Sequence, residues 1–462
     1  MSATVSGTAS QTGVSSVPPA LGPERSVTWP RRTVHTLSNG MQVVLVEQHT
    51  FPKITVELFF RSGNALVAHH APDLAELTAR VLRTGTELRA SRQIEEDLRA
   101  MGATLGTSAG ADTSAISISG LADSLEGLLG MLAELAQKAS FPAAEFEREL
   151  RQKLEELRIE RTTPGFLAGE RFRRVLFGEH PYAIVAPSEA QVTAYRREDL
   201  ASYYRDNYVP SNGLLIGVGD FSIARMLEAV EKIFGGWRAG QAPPLKAAAP
   251  PAACGRAVHL VHLPGTVQTD ILLGNLAINR QSPDWHCAVL ANALFGGAFN
   301  SRLVTNIREQ KGYTYSPRST MYPLRQSGYF SVHAAVRNEV AAATLTEIFY
   351  ELDRMRSLPV SESELADARN YLSGVFSLGI ATTDGILGQL ATVYLDRLPE
   401  DYLETYREKI RSLTAADILA AARKYFDSPN ARIVIVGDRE RIESQAALFG
   451  EVNSWDAQGN RL

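Results

Sequence analysis

The stretch MQVVLVEQHTFPKITVELFF, residues 41–60, decides what kind of fold this chain adopts. Its two runs, Met41–Glu47 and Ile54–Phe60, are rich in β-branched and aromatic residues, and a polar turn with Pro52 separates them. This pattern predicts two strands that pair with each other. Apolar residues recur at helical spacing soon afterwards, in Leu74–Leu82, which predicts a helix. Strands followed by helices within one segment indicate an α+β protein.

The pattern continues over the next 140 residues. Ser91–Met101 predicts a second helix, Ser114–Leu121 alternates strictly as a half-buried strand does, and Leu125–Ala139 and Ala143–Arg161 predict long helices. Leu214–Val218 predicts a closing strand. Because several strands are joined by short turns, the sheet is expected to be mainly antiparallel.

Landmarks of this first segment recur later in the chain in the same order. Pro72-Asp73 before the first helix matches Pro283-Asp284. Gly217–Asp220 at the closing strand matches Ile435–Asp438. Ordered matches at nearly constant spacing predict two related halves.

Length and local composition predict the boundaries of these halves. A chain of 462 residues exceeds what one core usually holds. We expect a flexible tail rich in Ser, Ala, Gly and Pro at 1–32, a first half at 33–240, a Pro/Ala-rich linker at 241–254, and a second half at 255–462.

Composition excludes several classes of protein. The net charge of −4 argues against a general nucleic-acid binder, and no apolar run is long enough to span a membrane. Cys254 and Cys287 belong to no CxxC pair, so a cysteine zinc site is excluded. No signal peptide is recognisable, so we expect a soluble protein and leave a bacterial cytoplasm or periplasm open.

An ordered set of short motifs carries a family resemblance. The motifs include SNGMQVVLVE, LEELRIERTTP, NYVPSN, GGAFNSRL and IREQKGYTYSP. Together they resemble the pitrilysin or insulinase-type zinc peptidases, including their processing-peptidase branch. The resemblance implies two α+β halves that face each other as a clam shell and hold a peptide.

The zinc motif of that family, H-x-x-E-H on a helix, is missing. Alignment with the family places Glu76, Ala79 and Arg80 at its two His and one Glu positions. The position of the third ligand corresponds to Glu156, with Glu155 as an alternative. Arginine stays protonated and offers no lone pair, so the resemblance implies a metal-free, catalytically inactive site. We further predict that Arg80 pairs with Glu156 or Glu76 and so replaces part of the lost metal charge.

Histidine usage offers no other zinc site. The chain has nine histidines. His69 and His70 are adjacent, so their side chains diverge, and no other zinc motif occurs. We therefore predict no metal ion and no cofactor in this chain.

The second half keeps another feature of the family. The resemblance identifies Arg308 and Tyr315, seven residues apart, as the pair that holds substrate carbonyls beside the metal. A guanidinium and a phenol O–H are donors that stabilise charge developing on a carbonyl oxygen. The preceding Gly296-Gly297 predicts a tight turn or a close backbone approach.

Loss of the metal motif together with retention of this pair predicts a non-zinc subunit of a two-subunit peptidase. A zinc-bearing paralogue would be its partner, in a heterodimer or a larger assembly, and peptides would be the substrate. The alternative is an inactive structural scaffold that resembles the core subunits of the bc1 complex. An active peptidase with another metal site is a third interpretation.

Overall fold

The computed structural model describes residues 27–252 and 255–462. Its strands are β1 (Arg32–Thr36), β2 (Gln42–Glu47), β3 (Lys53–Phe60), β4 (Thr104–Ala109), β5 (Ser114–Leu121), β6 (Gly213–Gly219), β7 (Ala257–His262), β8 (Gln268–Ala277), β9 (Arg318–Pro323), β10 (Gly328–Arg337), β11 (Arg432–Gly437) and β12 (Val452–Trp455). Its α-helices are α1 (Leu74–Leu82), α2 (Ser91–Ala100), α3 (Leu125–Lys138), α4 (Ala143–Glu160), α5 (Pro164–Phe177), α6 (Glu189–Ala194), α7 (Arg197–Asn207), α8 (Ile223–Phe234), α9 (Trp285–Asn292), α10 (Ala341–Ser357), α11 (Glu362–Leu378), α12 (Thr383–Leu395), α13 (Tyr402–Ser412), α14 (Ala415–Tyr425) and α15 (Arg439–Ala446). The predicted helix at α1 and the predicted strand at β5 are confirmed with the same bounds.

Two six-stranded sheets repeat one topology. The first has the order β1-β2-β6-β3-β5-β4, and the second has the order β12-β7-β11-β8-β10-β9. Five of the six positions are equivalent: β2, β6, β3, β5 and β4 of the first sheet correspond to β7, β11, β8, β10 and β9 of the second. This correspondence confirms the predicted internal repeat. The outermost position is filled from opposite ends of the chain: β1 runs antiparallel to β2, whereas β12 runs parallel to β7.

The pairing predicted for the opening stretch is wrong. Strand β6 lies between β2 and β3, parallel to β2 and antiparallel to β3. Both opening strands are buried on both faces, so water does not reach their backbone N–H and C=O groups, which are satisfied by a neighbouring strand at each edge. The remaining pairs of this sheet are antiparallel, so the expectation of a mainly antiparallel sheet holds.

Each sheet buries one face against helices of its own half. In the first half, Val43, Val56 and Leu58 pack with Leu77 and Leu128. In the second half, the equivalent face packs against α9, α10 and α14. Alternating side chains of a strand point to opposite faces, so a second apolar set remains on the other side of each sheet.

Helices exchanged between the halves cover those second faces. Helix α5 of the first half packs on β8 and β11 of the second sheet. Helix α12, which occupies the same place in the repeat, packs on β3 and β6 of the first sheet. Apolar side chains of both halves therefore share two mixed clusters.

The predicted boundaries fall partly within folded chain. Residues 1–26 of the predicted tail lie outside the described residues. Trp29 is buried, with its ring 5.4 Å from that of Phe376, and β1 already begins at Arg32. Residues 27–32 therefore belong to the folded part, because an aromatic anchor and a strand hold them. Within the predicted linker, residues 241–252 form neither helix nor strand.

No helix among the described residues is both long enough and apolar enough to cross a lipid bilayer.

Candidate functional site

The first turn of α1 is held by a short polar network. Asp73 precedes the helix with a left-handed φ of 66°, and its carboxylate accepts a hydrogen bond of 3.0 Å from Asn64 Nδ2. The Oδ1 atom of Asn64 accepts from the Glu76 backbone N–H at 3.3 Å. Lys153 of α4 forms an ion pair with Asp73, so α1 and α4 are tied together at this end.

An ion-pair network occupies the positions that the resemblance assigns to the family's zinc motif. The Nη1 atom of Arg80 lies 2.7 Å from Glu156 Oε2, and its Nε atom lies 3.2 Å from Glu76 Oε1. Gln152 Nε2 donates to the other oxygen of Glu156 at 3.0 Å, and the backbone N–H of Ala109 donates to Glu76 Oε2 at 2.8 Å. The predicted pairing of Arg80 is confirmed, and it involves both carboxylates.

Electrostatics reinforce this network. Partial burial opposes ionisation of both Arg80 and Glu156. For Arg80, the hydrogen bonds and charges of Glu156 and Glu76 outweigh burial, and for Glu156 those of Arg80, with help from Gln152 and Lys153, do so. The pKa of Arg80 therefore lies above its usual value, and the pKa of Glu156 lies below its own. Both groups stay charged at neutral pH, and the guanidinium supplies the cation that these carboxylates require.

The structure separates the two candidates for the third-ligand position. Glu155 points away from α1, is exposed, and pairs with Arg158 at 2.6 Å. Glu156 pairs with Arg80 of α1, so Glu156 is the carboxylate that faces the positions assigned to the motif.

The residues present do not fit zinc. Position 79 is a buried alanine, 1% exposed, which can neither bind a metal nor act as a base. Arg80 fills the space between the two carboxylates with a permanent cation. Within residues 27–252 and 255–462, no group of three His, Cys, Asp or Glu side chains is arranged to hold a metal ion.

The second predicted pair lies in a partly exposed segment of the other half. Arg308 belongs to a π-helical turn, Val304–Gln310. Its guanidinium carbon lies 4.6 Å from the centroid of the Tyr315 ring, so the structure brings the predicted residues together. Tyr315 is 79% exposed, which leaves its hydroxyl open to a ligand.

A third residue completes this arrangement. The ring of Phe299 lies 4.8 Å from the same guanidinium carbon and is 72% exposed. Arg308 therefore contacts two aromatic rings, and its Nε atom pairs with Glu309 at 3.2 Å. The sequence GGAFNSRL gives no sign of this role for Phe299, since no local pattern shows that the chain brings Phe299 back to Arg308, nine residues later.

Tight backbone packing positions this segment. A side chain at Gly296 would come within 2.9 Å of the Ser319 backbone nitrogen, and one at Gly297 within 3.1 Å of the Asn292 backbone oxygen. The predicted close approach is confirmed. Thr314 Oγ1 donates to the backbone oxygen of Ala335 at 2.6 Å, which fixes the Tyr315 loop to β10.

Family models match both halves. Residues 42–164 match the model described as insulinase (peptidase family M16), and residues 194–372 match the model described as peptidase M16 inactive domain. An uncharacterized zinc protease of Rickettsia bellii is 22% identical over 411 residues, which cover 87% of this chain and 97% of that protein.

Solved structures show the same fold. The crystal structure of a peptidase M16 inactive domain from Pseudomonas fluorescens has a TM-score of 0.83 and 27% identity, and the match covers 88% of this chain and 98% of the other. A protease from Helicobacter pylori has a TM-score of 0.82 and 20% identity, with 88% and 99% covered. The predicted α+β clam-shell fold of two related halves is thus confirmed. The chain belongs to the M16, or insulinase/pitrilysin-type, peptidase family and lacks that family's H-x-x-E-H zinc motif.

Proposed function

We propose that this chain is the non-zinc subunit of a heteromeric M16 peptidase and that it binds peptide backbone with Arg308 and Tyr315. One observation carries the proposal. The former metal site is closed by the Arg80 ion pairs, whereas Tyr315 stays exposed against Arg308. A chain that has lost metal binding but presents two donors is suited to share a cleft with a partner.

The chemistry assigned to this chain is recognition and charge stabilisation. The guanidinium of Arg308 and the hydroxyl of Tyr315 donate hydrogen bonds to carbonyl oxygens of an extended peptide. These bonds strengthen as negative charge develops on a carbonyl oxygen during attack by water. Activation of that water falls to a zinc-bearing partner subunit, since Ala79 and Arg80 offer neither a base nor a ligand.

Reconstitution with a zinc-bearing M16 paralogue from the same genome tests this function. Hydrolysis of a fluorogenic peptide is measured for the partner alone, for the complex, and for the complex with Arg308→Ala. We expect the complex to hydrolyse the peptide faster than the partner alone does. Arg308→Ala should lower the kcat of the complex about 100-fold, the usual effect of losing one donor to the transition state. Lys311→Ala, a change of a cation in the same segment, is the matched control and should retain activity.

The scaffold interpretation makes the opposite prediction. If the Arg308→Ala complex, the wild-type complex and the partner alone hydrolyse the peptide equally, the chain contributes no substrate contacts. Stable assembly without any such contribution would then favour a structural role.

A further inference from the structure

A cavity of about 500 Å³ lies at the junction of the two halves, and its lining includes no residue of the two sites above. Four arginines line it: Arg61 follows β3 of the first half, and Arg280, Arg325 and Arg397 belong to the second. Linker residues 242–245 form another part of its wall. Asp396 is the one acidic residue in this lining.

Two of these guanidiniums are held by neutral groups alone. Arg61 donates to the side-chain oxygen of Gln42 at 2.9 Å, while its Nε atom is buried without a hydrogen-bond partner. The guanidinium of Arg325 donates to the backbone oxygens of Arg61 and Asp112 at 2.9 and 2.7 Å. These bonds fix the positions of the two cations without an ion pair, and the carboxylate of Asp112 accepts from the backbone N–H of Arg325 at 3.0 Å.

The other two differ from each other. Arg280 pairs with Asp396 at 3.2 Å. Arg397 is exposed and has a left-handed φ of 52°, a backbone conformation that residues with a side chain seldom adopt. Within residues 27–252 and 255–462, no carboxylate lies within 4.0 Å of the charged nitrogens of Arg61, Arg325 or Arg397. Three guanidiniums that form no ion pair therefore line one cavity.

Such a grouping is unfavourable unless an anion joins it. Like charges in a partly buried space repel each other. Burial, together with the neighbouring charges of Arg397 and Arg325, lowers the pKa of Arg61 to about 10. Guanidinium groups match the oxygens of phosphate in bidentate geometry, and a multiply charged phosphate balances three cations better than a single carboxylate does.

We propose that this cavity binds a phosphate-class anion, inorganic or esterified, which bridges Arg61 of the first half to Arg325 and Arg397 of the second. The bound anion would neutralise the cluster and strengthen the contact between the halves. This proposal is independent of the peptidase function, because none of its residues belongs to the two sites already described.

Calorimetric titration of the full chain with pyrophosphate, at ionic strength held constant with chloride, tests the proposal. We expect one saturable site and a Tm that rises with the logarithm of pyrophosphate concentration. Arg397→Gln, an exposed change, should weaken binding at least tenfold. Arg92→Gln removes an arginine that is 90% exposed on α2 and should leave the affinity unchanged.

Two further titrations test the charge balance of the cavity and the class of its ligand. Asp396→Asn removes the one carboxylate of the lining and should tighten pyrophosphate binding. Titration with glucose 6-phosphate separates an esterified from an inorganic ligand. Absence of saturable binding, equal weakening by Arg92→Gln and Arg397→Gln, or tighter binding of the dicarboxylate succinate than of pyrophosphate would each overturn the proposal.

Discussion

The guanidinium of Arg80 lies 2.7 Å from the carboxylate of Glu156, across the place where the family resemblance puts a metal ion. The same group also pairs with Glu76 one helical turn earlier. A fixed side-chain cation thus holds together carboxylates that would otherwise repel each other. This relationship leads to two predictions.

Removal of the guanidinium should destabilise the chain. Arg80→Ala leaves Glu76 and Glu156 facing each other without a cation, and we expect a loss of about 1–2 kcal/mol in the free energy of unfolding, since both pairs are only partly buried. Urea denaturation measures the loss. Arg92→Ala, which removes an exposed i,i+4 pair, is the control and should cost less than about 0.5 kcal/mol. Equal losses for the two variants would mean that the Arg80 network adds no special stability.

Restoration of the motif should restore metal binding. The triple change Glu76→His, Ala79→Glu and Arg80→His supplies two imidazoles on one face of α1, opposite Glu156. We expect about one zinc per chain after dialysis, measured by atomic absorption, because two His and one Glu form a typical zinc site. Added Glu156→Gln should weaken retention. A folded triple variant that stays metal-free would show that Glu156 is not positioned as a ligand.

Glu57 should make stability depend on pH. It lies on β3, in the contact with α12, where burial and the charge of Asp384 raise its pKa to about 7. The folded chain therefore keeps a proton that the unfolded chain releases near 4.5, so the free energy of unfolding falls as pH rises from about 4.5 to about 7 and then levels off.

The change Glu57→Gln should remove this fall. At pH 8 we expect the variant to be more stable than wild type by about 1–3 kcal/mol, up to the equivalent of the full shift, whereas at pH 4.5 the two should agree closely. Thermal unfolding at both pH values measures the difference. Glu126→Gln, an exposed change, should show no such pH-dependent gain. A variant that gains nothing at pH 8 would contradict the assignment.

Phe299 should position Arg308. With Phe299→Leu, the guanidinium loses one of its two aromatic contacts, and an exposed cation–π contact contributes about 0.5–1 kcal/mol. In protein labelled with ¹⁵N-arginine, we expect the Nε–H resonance of Arg308, assigned with Arg308→Lys, to lose its ring-current shift. Leu358→Ala, an exposed apolar change elsewhere, should leave that resonance in place. No movement in the Phe299 variant would mean that the ring does not hold Arg308 in solution.

The exchanged helix α12 should be essential to the contact between the halves. Leu390 is 1% exposed and packs in the cluster that α12 shares with the first sheet. Leu390→Ala should cost about 2–5 kcal/mol, because it leaves a cavity that the sheet cannot close. Leu378→Ala changes an exposed leucine of α11 and should cost little. Similar losses in urea denaturation would contradict a tightly packed interface.

Periodicity and spacing determined a large part of this protein from the sequence alone. The α+β class, the repeat, the bounds of α1 and β5, and the absence of histidines at positions 76 and 80 can all be read along the chain, because each depends only on the order of residue types in the sequence. Even the pairing of Arg80 was predictable, since a partly buried carboxylate at a position that the resemblance assigns to a metal ligand needs a cation.

Only the tertiary structure decided which distant segments meet. In the folded chain β6 lies between β2 and β3, and α5 and α12 each pack on the sheet of the opposite half. Glu156, not Glu155, faces Arg80, and Phe299 contacts Arg308. Arginines of both halves line one cavity. A hydrophobic pattern tells which face of an element is buried, but many faces of similar composition could cover it. The choice among them is made by packing across the whole molecule, which no local stretch of sequence encodes.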